Sequence, residues 1–314
     1  KNGTWCSGIT SIVCNHLLFH LSSKGYARQD GGLTMVKHKK KSLFRKYNIP
    51  VFLLLLLIAL LMVFPFVWMF LSAFKTQAEV YAYPPQWLPN SFHLNNFRKV
   101  FEMVPFGRFY YNTIVTTVAQ TALQMILSIT AAYAFAKLDF PAKRALYMFM
   151  QSAMFVPMAV SVIPLYLMVA KLGLVNTYLG LILPQILGVF TTVLLMSFFK
   201  SIPDDLLDAA KIDGCGYYSI LWQVIIPNSK NAISAATLFA FLSHWKSYLW
   251  PLLVTNNTNM RTLPIGMKYL ITEASNDYHL MMAAALMSIL PVLLVYVISE
   301  ENFVKSITLS GVKG

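Results

Sequence analysis

Residues 201–230 read SIPDDLLDAAKIDGCGYYSILWQVIIPNSK, a short polar stretch between two long apolar runs. Ser201 and Asp204 stand at capping-box spacing, and Pro203 falls where a first helical turn tolerates a missing N–H, so a helix is expected to start here. Asp204, Asp205 and Asp208 would lie near its N-terminus, where the macrodipole favours negative charge. Ala209 and Ala210 leave a flat, bare face that another protein can approach closely. Gly214 supplies a left-handed residue to end the helix, and Gly216 a second loose position. A second short helix over 217–225 is expected to run up to Pro227. An ordinary loop between membrane helices would be shorter and less regular.

The surroundings fix the solvent. Of 314 residues, 57% are hydrophobic and 12% charged, about half the charged fraction of a soluble domain. Most of the chain is therefore expected to lie in a bilayer. The net charge of +13 does not point to nucleic acid, because Lys and Arg gather at the ends of apolar runs rather than in one patch. Cys6, Cys14 and Cys215 form no C-x-x-C pair, and the histidines are scattered, so no metal site is expected. Cys215 belongs to the opening stretch, where a reducing cytoplasm would keep it a thiol. There is no Gly-rich phosphate loop in the sequence; if ATP drives this protein, another chain binds it.

Asp208-Ala209-Ala210, then Gly214, then Ile225-Ile226-Pro227 resembles the EAA loop of ABC-importer membrane subunits, with Asp for the usual Glu and Ile226 where Leu is common. Ile212-Asp213-Gly214, Trp245, the run Tyr248-Leu249-Trp250-Pro251-Leu252 and the tail Gly311-Val312-Lys313-Gly314 narrow the likeness to carbohydrate-uptake permeases, the group that includes the smaller permease of maltose importers. The resemblance covers about residues 47–314. It implies an all-α membrane protein of six transmembrane helices and a cytoplasmic coupling loop over 201–230. It also implies a second permease subunit in a heterodimer, two ATPase subunits that carry ATP and Mg, and an extracytoplasmic solute-binding protein. This chain would then be a transport subunit with no cofactor of its own, not an enzyme. Asp208, Ala209, Ala210, Asp213, Gly214 and Pro227 are its implied ATPase-coupling residues.

Counting apolar runs of about 20 residues gives six spans, near 50–74, 109–136, 146–170, 181–199, 232–254 and 280–299. Pro65, Pro157, Pro164 and Pro184 fall inside them and are expected to kink helices. With the N-terminus inside, cytoplasmic segments hold fourteen Lys and Arg and outer segments seven. That asymmetry places both termini in the cytoplasm of a multi-pass inner-membrane protein. Residues 1–34 read unlike the rest, since their one apolar patch is too short to span; they are expected to be a non-native or disordered extension. Residues 35–49 form a basic cytoplasmic start, 50–300 the membrane domain and 301–314 a cytoplasmic tail. The long outer segment 75–107 contains Pro84-Pro85-Gln86-Trp87-Leu88-Pro89 and an expected short helix over 94–103. It either meets a solute-binding protein or caps the membrane interface through Trp87.

In the second span Asn112, Thr116, Gln120, Gln124 and Ser128 recur every four residues and share one face. They either line a solute path or hydrogen-bond neighbouring helices. Lys246 lies about 22 Å into the fifth span at about 1.5 Å per residue. An intramembrane charge is a functional candidate by default, against a lysine snorkelling among Trp245, Tyr248 and Trp250. The reading is a sugar, oligosaccharide or polyol permease, with the alternative of a non-sugar solute. An ion-coupled transporter would need carboxylates inside a span, and the sequence places none there. An intramembrane enzyme would need a base partner near His244, which has no carboxylate close in sequence.

Overall fold

A computed structural model describes residues 26–29, 32–35, 49–273 and 277–310. Twenty-five successive residues, mostly Leu, Ile, Val and Phe, form α1, Ile49–Ala73. At about 1.5 Å per residue this exceeds the roughly 30 Å hydrocarbon core of a bilayer. Every side chain from residue 51 to residue 66 is exposed. An apolar surface of that extent is stable against lipid rather than water.

The chain divides into two compact units, residues 1–65 with 203–227 and residues 66–202 with 228–314. In the first, β1 (Tyr26–Gln29) pairs antiparallel with β2 (Gly32–Met35), Gln29 opposite Gly32. The otherwise helical architecture agrees with the expected class, but an all-α reading omits this strand pair. Most of the expected extension 1–34, most of the basic start and the tail 311–314 lie outside the described residues.

In the second unit, short α2 (Gln77–Val80) and α3 (Asn95–Met103) precede α4 (Phe106–Lys137), the 32-residue helix on which the unit is built. Then come α5 (Lys143–Ser152), α6 (Met158–Lys171), α7 (Tyr178–Ile182) and α8 (Val189–Lys200). The first unit resumes with α9 (Asp204–Ile212) and α10 (Tyr217–Ile220), followed by a π-helical turn, Leu221–Ile225, and α11 (Ile226–Asn228). The rest is α12 (Lys230–Trp245), α13 (Leu249–Val254), α14 (Leu263–Glu273) and α15 (Tyr278–Ser310). Helix α4 packs against α8 and α12, and α12 against α15. Buried Ala235 and Ala236 on α12 and Ala283 and Ala284 on α15 are the small residues that let membrane helices approach closely.

Among the described residues α1, α4 and the first 23 residues of α15 are long and apolar enough to cross a membrane. Two bent pairs bring the number to five. The expected span 146–170 is α5 and a 3-10 turn joined to α6 at a bend of 103°. Val156 is extended because the ring of Pro157 disfavours helix at the residue before it. The expected span 181–199 bends by 44° at Gly188. The expected span 232–254 is α12 and α13 separated at residues 246–248. The Pro251 ring would clash with the Ser247 carbonyl in a continuous helix, so α13 starts afresh with Pro251 in its first turn.

The segment 75–107, expected on the outer side, is closed by polar contacts. Asn96 Nδ2 donates to the carbonyls of Ala73 and Lys75 at 2.9 and 2.8 Å, ending α1. Thr76 and Glu79 form a reciprocal capping box on α2. Lys75 is fully buried, donates to the Gln86 carbonyl and lies 4.3 Å from the Trp68 ring centroid. Trp87 meets Trp68 edge-on at 5.5 Å.

Candidate functional site

The four-residue spacing on α4 gives a single buried polar face. Asn112, Thr116, Gln120, Gln124 and Ser128 are each no more than 6% exposed. Asn112 Nδ2 donates to the carbonyls of Asn259 and Arg261 at 2.8 and 2.9 Å, and its Oδ1 accepts from the Tyr178 hydroxyl at 2.7 Å. Thr116 donates back to the Asn112 carbonyl, and Gln120 donates to the Leu181 carbonyl at 2.8 Å. Ser128 donates to the Gly188 carbonyl at 3.5 Å. Four of the five are thus engaged with backbone carbonyls, and Gln124 differs. Its amide donates to Thr191 Oγ1 at 2.8 Å, while its Oε1 meets His244 Nε2 at 2.7 Å. Since Oε1 can only accept, this contact requires a proton on His244 Nε2.

Gln124 and His244 line a cavity of about 480 Å³ with Gln185, Thr191, Ser243, Ser247, Tyr248 and the rings of Phe190 and Phe239. All three helix breaks supply its wall: Met158 after the first, Leu187 and Gly188 at the second, Ser247 and Tyr248 at the third. Non-helical backbone at membrane depth is tolerated where it lines such a cavity. A Cβ at Gly188 would overlap the Gln124 amide, so glycine there holds room for the Gln124–His244 pair. Lys246 stands apart from this lining, exposed at the C-terminal cap of α12. His244, Gln185, Thr191, Ser243 and Tyr248 were not legible as one site, because helix breaks rather than sequence spacing bring them together.

Most of the segment 201–230, expected to couple to an ATPase, belongs to the first unit. Gly214 has φ +80° and ends α9 in a Schellman motif: its N–H donates to the Lys211 carbonyl and that of Cys215 to the Ala210 carbonyl, each at 2.9 Å. Asp204 and Asp205 occupy the first turn, and Asp208 pairs with Lys211 at 2.9 Å. Four local expectations need correction. Ser201 donates to the Phe198 carbonyl, ending the previous helix, and Pro203 is itself the cap residue, with no side-chain bond. Ala210 is buried while Ala209 is exposed, so the bare face is half the expected size. Gly216 has φ −74° and ψ 169°, extended backbone open to any residue. Pro227 ends nothing: the π turn Leu221–Ile225, where the Ile226 N–H reaches the Leu221 carbonyl, carries the chain through it. Asp213 is the exposed cap residue. Around it Ile212, Tyr217, Tyr218 and Trp222 are 65% exposed or more.

Residues 124–308 match the family described as binding-protein-dependent transport system inner membrane component. The sulfoquinovosyl glycerol transport system permease protein SmoH of Agrobacterium fabrum is 32% identical over 80% of this chain and 89% of that protein. The arabinooligosaccharides transport system permease protein AraQ of Halalkalibacterium halodurans is 29% identical over 82% of this chain and 93% of its own. The diacetylchitobiose uptake system permease protein NgcG of Streptomyces coelicolor is 30% identical over 81% and 85%. Among solved structures, a bacterial ABC transporter involved in the import of the acidic polysaccharide alginate superposes with a TM-score of 0.73 at 25% identity, covering 86% of this chain and 100% of that one. Long apolar helices, a cavity at helix breaks and these matches over most of the chain agree: the protein belongs to the binding-protein-dependent transport inner membrane family, as a permease subunit of an ABC importer.

Proposed function

We propose that this permease admits a sugar, oligosaccharide or related polyol through the cavity at Gln124 and His244. The observation that carries the reading is the cavity's chemistry. Amides, hydroxyls and an imidazole suit hydroxyl-rich solutes, and Phe190, Phe239 and Tyr248 offer faces for the apolar side of a sugar ring. Relatives named for oligosaccharide transport support the same class. Asn112, Thr116 and Gln120 then hold the path's scaffold, and Lys246 lies at its margin. Six crossings are counted by taking α12 with α13 as one broken span, with both termini in the cytoplasm.

The segment 204–227 is proposed to dock on an ATPase subunit. Exposed Ile212, Tyr217, Tyr218 and Trp222 beside Asp208, Ala209 and Asp213 have the aromatic enrichment of interface anchors. Such a helix, held by an ATPase that binds ATP and Mg, would shift the populations of inward- and outward-open states. A second permease, two ATPase subunits and an extracytoplasmic solute-binding protein complete the assembly. Uptake of a labelled oligosaccharide into proteoliposomes holding the assembly tests this. ATP-dependent uptake, together with a raised apparent KM in Gln124→Ala and His244→Ala, is expected. Uptake driven by an ion gradient without ATP would overturn it.

A further inference from the structure

Away from the solute cavity, α4 ends at Lys137, α5 begins at Lys143 and α8 ends at Lys200. A second cavity of about 250 Å³ opens there, lined by Phe135, Lys143, Arg144, Tyr147, Met196 and Lys200. Its walls are apolar and its charged groups are all cations. The first turn of α5 carries Lys143 and Arg144 and no acid, although a helix N-terminus favours negative charge. No side chain caps that turn, whose cap residue is Ala142 at φ +59°. Lys143 is partly compensated by the Leu138 carbonyl at 2.7 Å and by Asp139 at 3.3 Å. Arg144 has no ion pair among the described residues and is exposed, and Lys200 lies over the Tyr147 ring at 5.9 Å.

Like charges gathered beside an uncapped N-terminus repel one another unless an anion joins them. We propose that this cavity binds the phosphate-bearing headgroup of an anionic phospholipid, its acyl region against Phe135, Tyr147 and Met196. The location at the ends of α4, which is long and apolar enough to cross a membrane, and of the two bent pairs that pass that test together puts the phosphate at headgroup depth. A soluble anion would use the cations but gain nothing from the apolar wall. The inference rests on the membrane placement of these helices, and not on which solute is carried.

The test is native mass spectrometry of the detergent-purified, delipidated assembly titrated with phosphatidylglycerol or phosphatidylcholine. Wild type is expected to bind phosphatidylglycerol in preference. R144Q/K200Q removes two of three cations and should weaken that binding roughly 25-fold. R144K/K200R keeps the charges and should retain it, which separates loss of charge from misfolding. Inorganic phosphate at the lipid's concentration should not compete. Equal binding of both lipids, equal binding by R144Q/K200Q, or full competition by phosphate would each overturn the proposal. So would a R144Q/K200Q assembly that sheds its ATPase subunits while keeping its lipid, which would assign the cluster to a protein contact.

Discussion

One backbone angle, the φ of +80° at Gly214, ends α9 and aims the chain at α10. A Cβ there would meet nothing within 4 Å, so a substitution acts through the backbone alone. Holding an ordinary residue in the left-handed region costs about 1–2 kcal/mol, more for a β-branched one, whereas Asn tolerates it. Gly214→Val should therefore leave membrane abundance near wild type while uptake and ATP hydrolysis fall together by about tenfold or more. Gly214→Asn should keep most of both. Equal loss in the two variants would show that the side chain, not the turn, matters. Gly188 is needed for the opposite reason, since a Cβ would strike the Gln124 amide. Gly188→Ala should raise the apparent KM for solute roughly tenfold, as expected when a hydrogen-bonded pair is displaced. A double variant with Gln124→Ala should then cost little more than either change alone, and full additivity would break the link. Gly214 was legible because a Schellman ending is local, written in adjacent residues. The Gln124–His244 bond joins residues 120 positions apart, and no periodicity announces it.

At the scale of elements, prolines divide into those a helix absorbs and those that break it. Pro65, Pro164 and Pro291 lie inside continuous helices, whereas a 103° bend sits at Pro157 and α12 and α13 part before Pro251. Apolar runs made the long helices and the bent pairs legible, but those runs look alike whether the chain goes straight or bends. What decides is whether neighbours satisfy the freed carbonyls, which is tertiary information. The same limit hid the cavity, whose walls come from the breaks. The outer segment was more transparent: Thr76-x-x-Glu79 is an ordinary capping signal, and α3 lies within a residue of its expected start. Glu79 is 8% exposed, and its carboxyl is held below the usual 4.5, first by the Thr76 N–H and also by the Asn90 N–H, against the effect of burial. With the folded value below the unfolded one, ionised Glu79 stabilises this segment fully above about pH 4.5. That contribution is lost as pH falls through the depressed folded value. The protection factors of amides 76–96, taken against the intrinsic exchange rate at each pH, should accordingly fall in acid. Glu79→Gln should be less protected at neutral pH by roughly 2 kcal/mol and lack that acid limb. An unchanged acid limb in the variant would remove Glu79 as its cause.

For the whole molecule, orientation decides whether the proposed coupling segment can meet an ATPase at all. Fourteen Lys and Arg against seven favour one arrangement, with the loop after α4 and the segment 204–227 inside and the turn after α13 outside. Charge asymmetry acts during insertion and leaves no contact in the folded chain, so side-chain geometry is mute on it. Accessibility is the direct measure. Asn257 would be a natural probe of the outer turn, but its Oδ1 holds the Asn259 N–H at 2.9 Å, so its exposed neighbour Asn256 is the less disruptive choice. Asp139, whose side chain is fully exposed between α4 and α5, probes the opposite side. In a chain with Cys6, Cys14 and Cys215 changed to Ser, Asn256→Cys should react with a membrane-impermeant maleimide in intact spheroplasts. Asp139→Cys should react only after lysis. The two positions flank spans of opposite direction under the six-crossing count, so labelling both from outside would refute that count even if the total charge bias stood. Labelling Asp139→Cys alone from outside would invert the protein and leave Ile212, Tyr217, Tyr218 and Trp222 facing a compartment without ATP. Their exposure would then need another partner, and the coupling reading would fail with the topology that supports it.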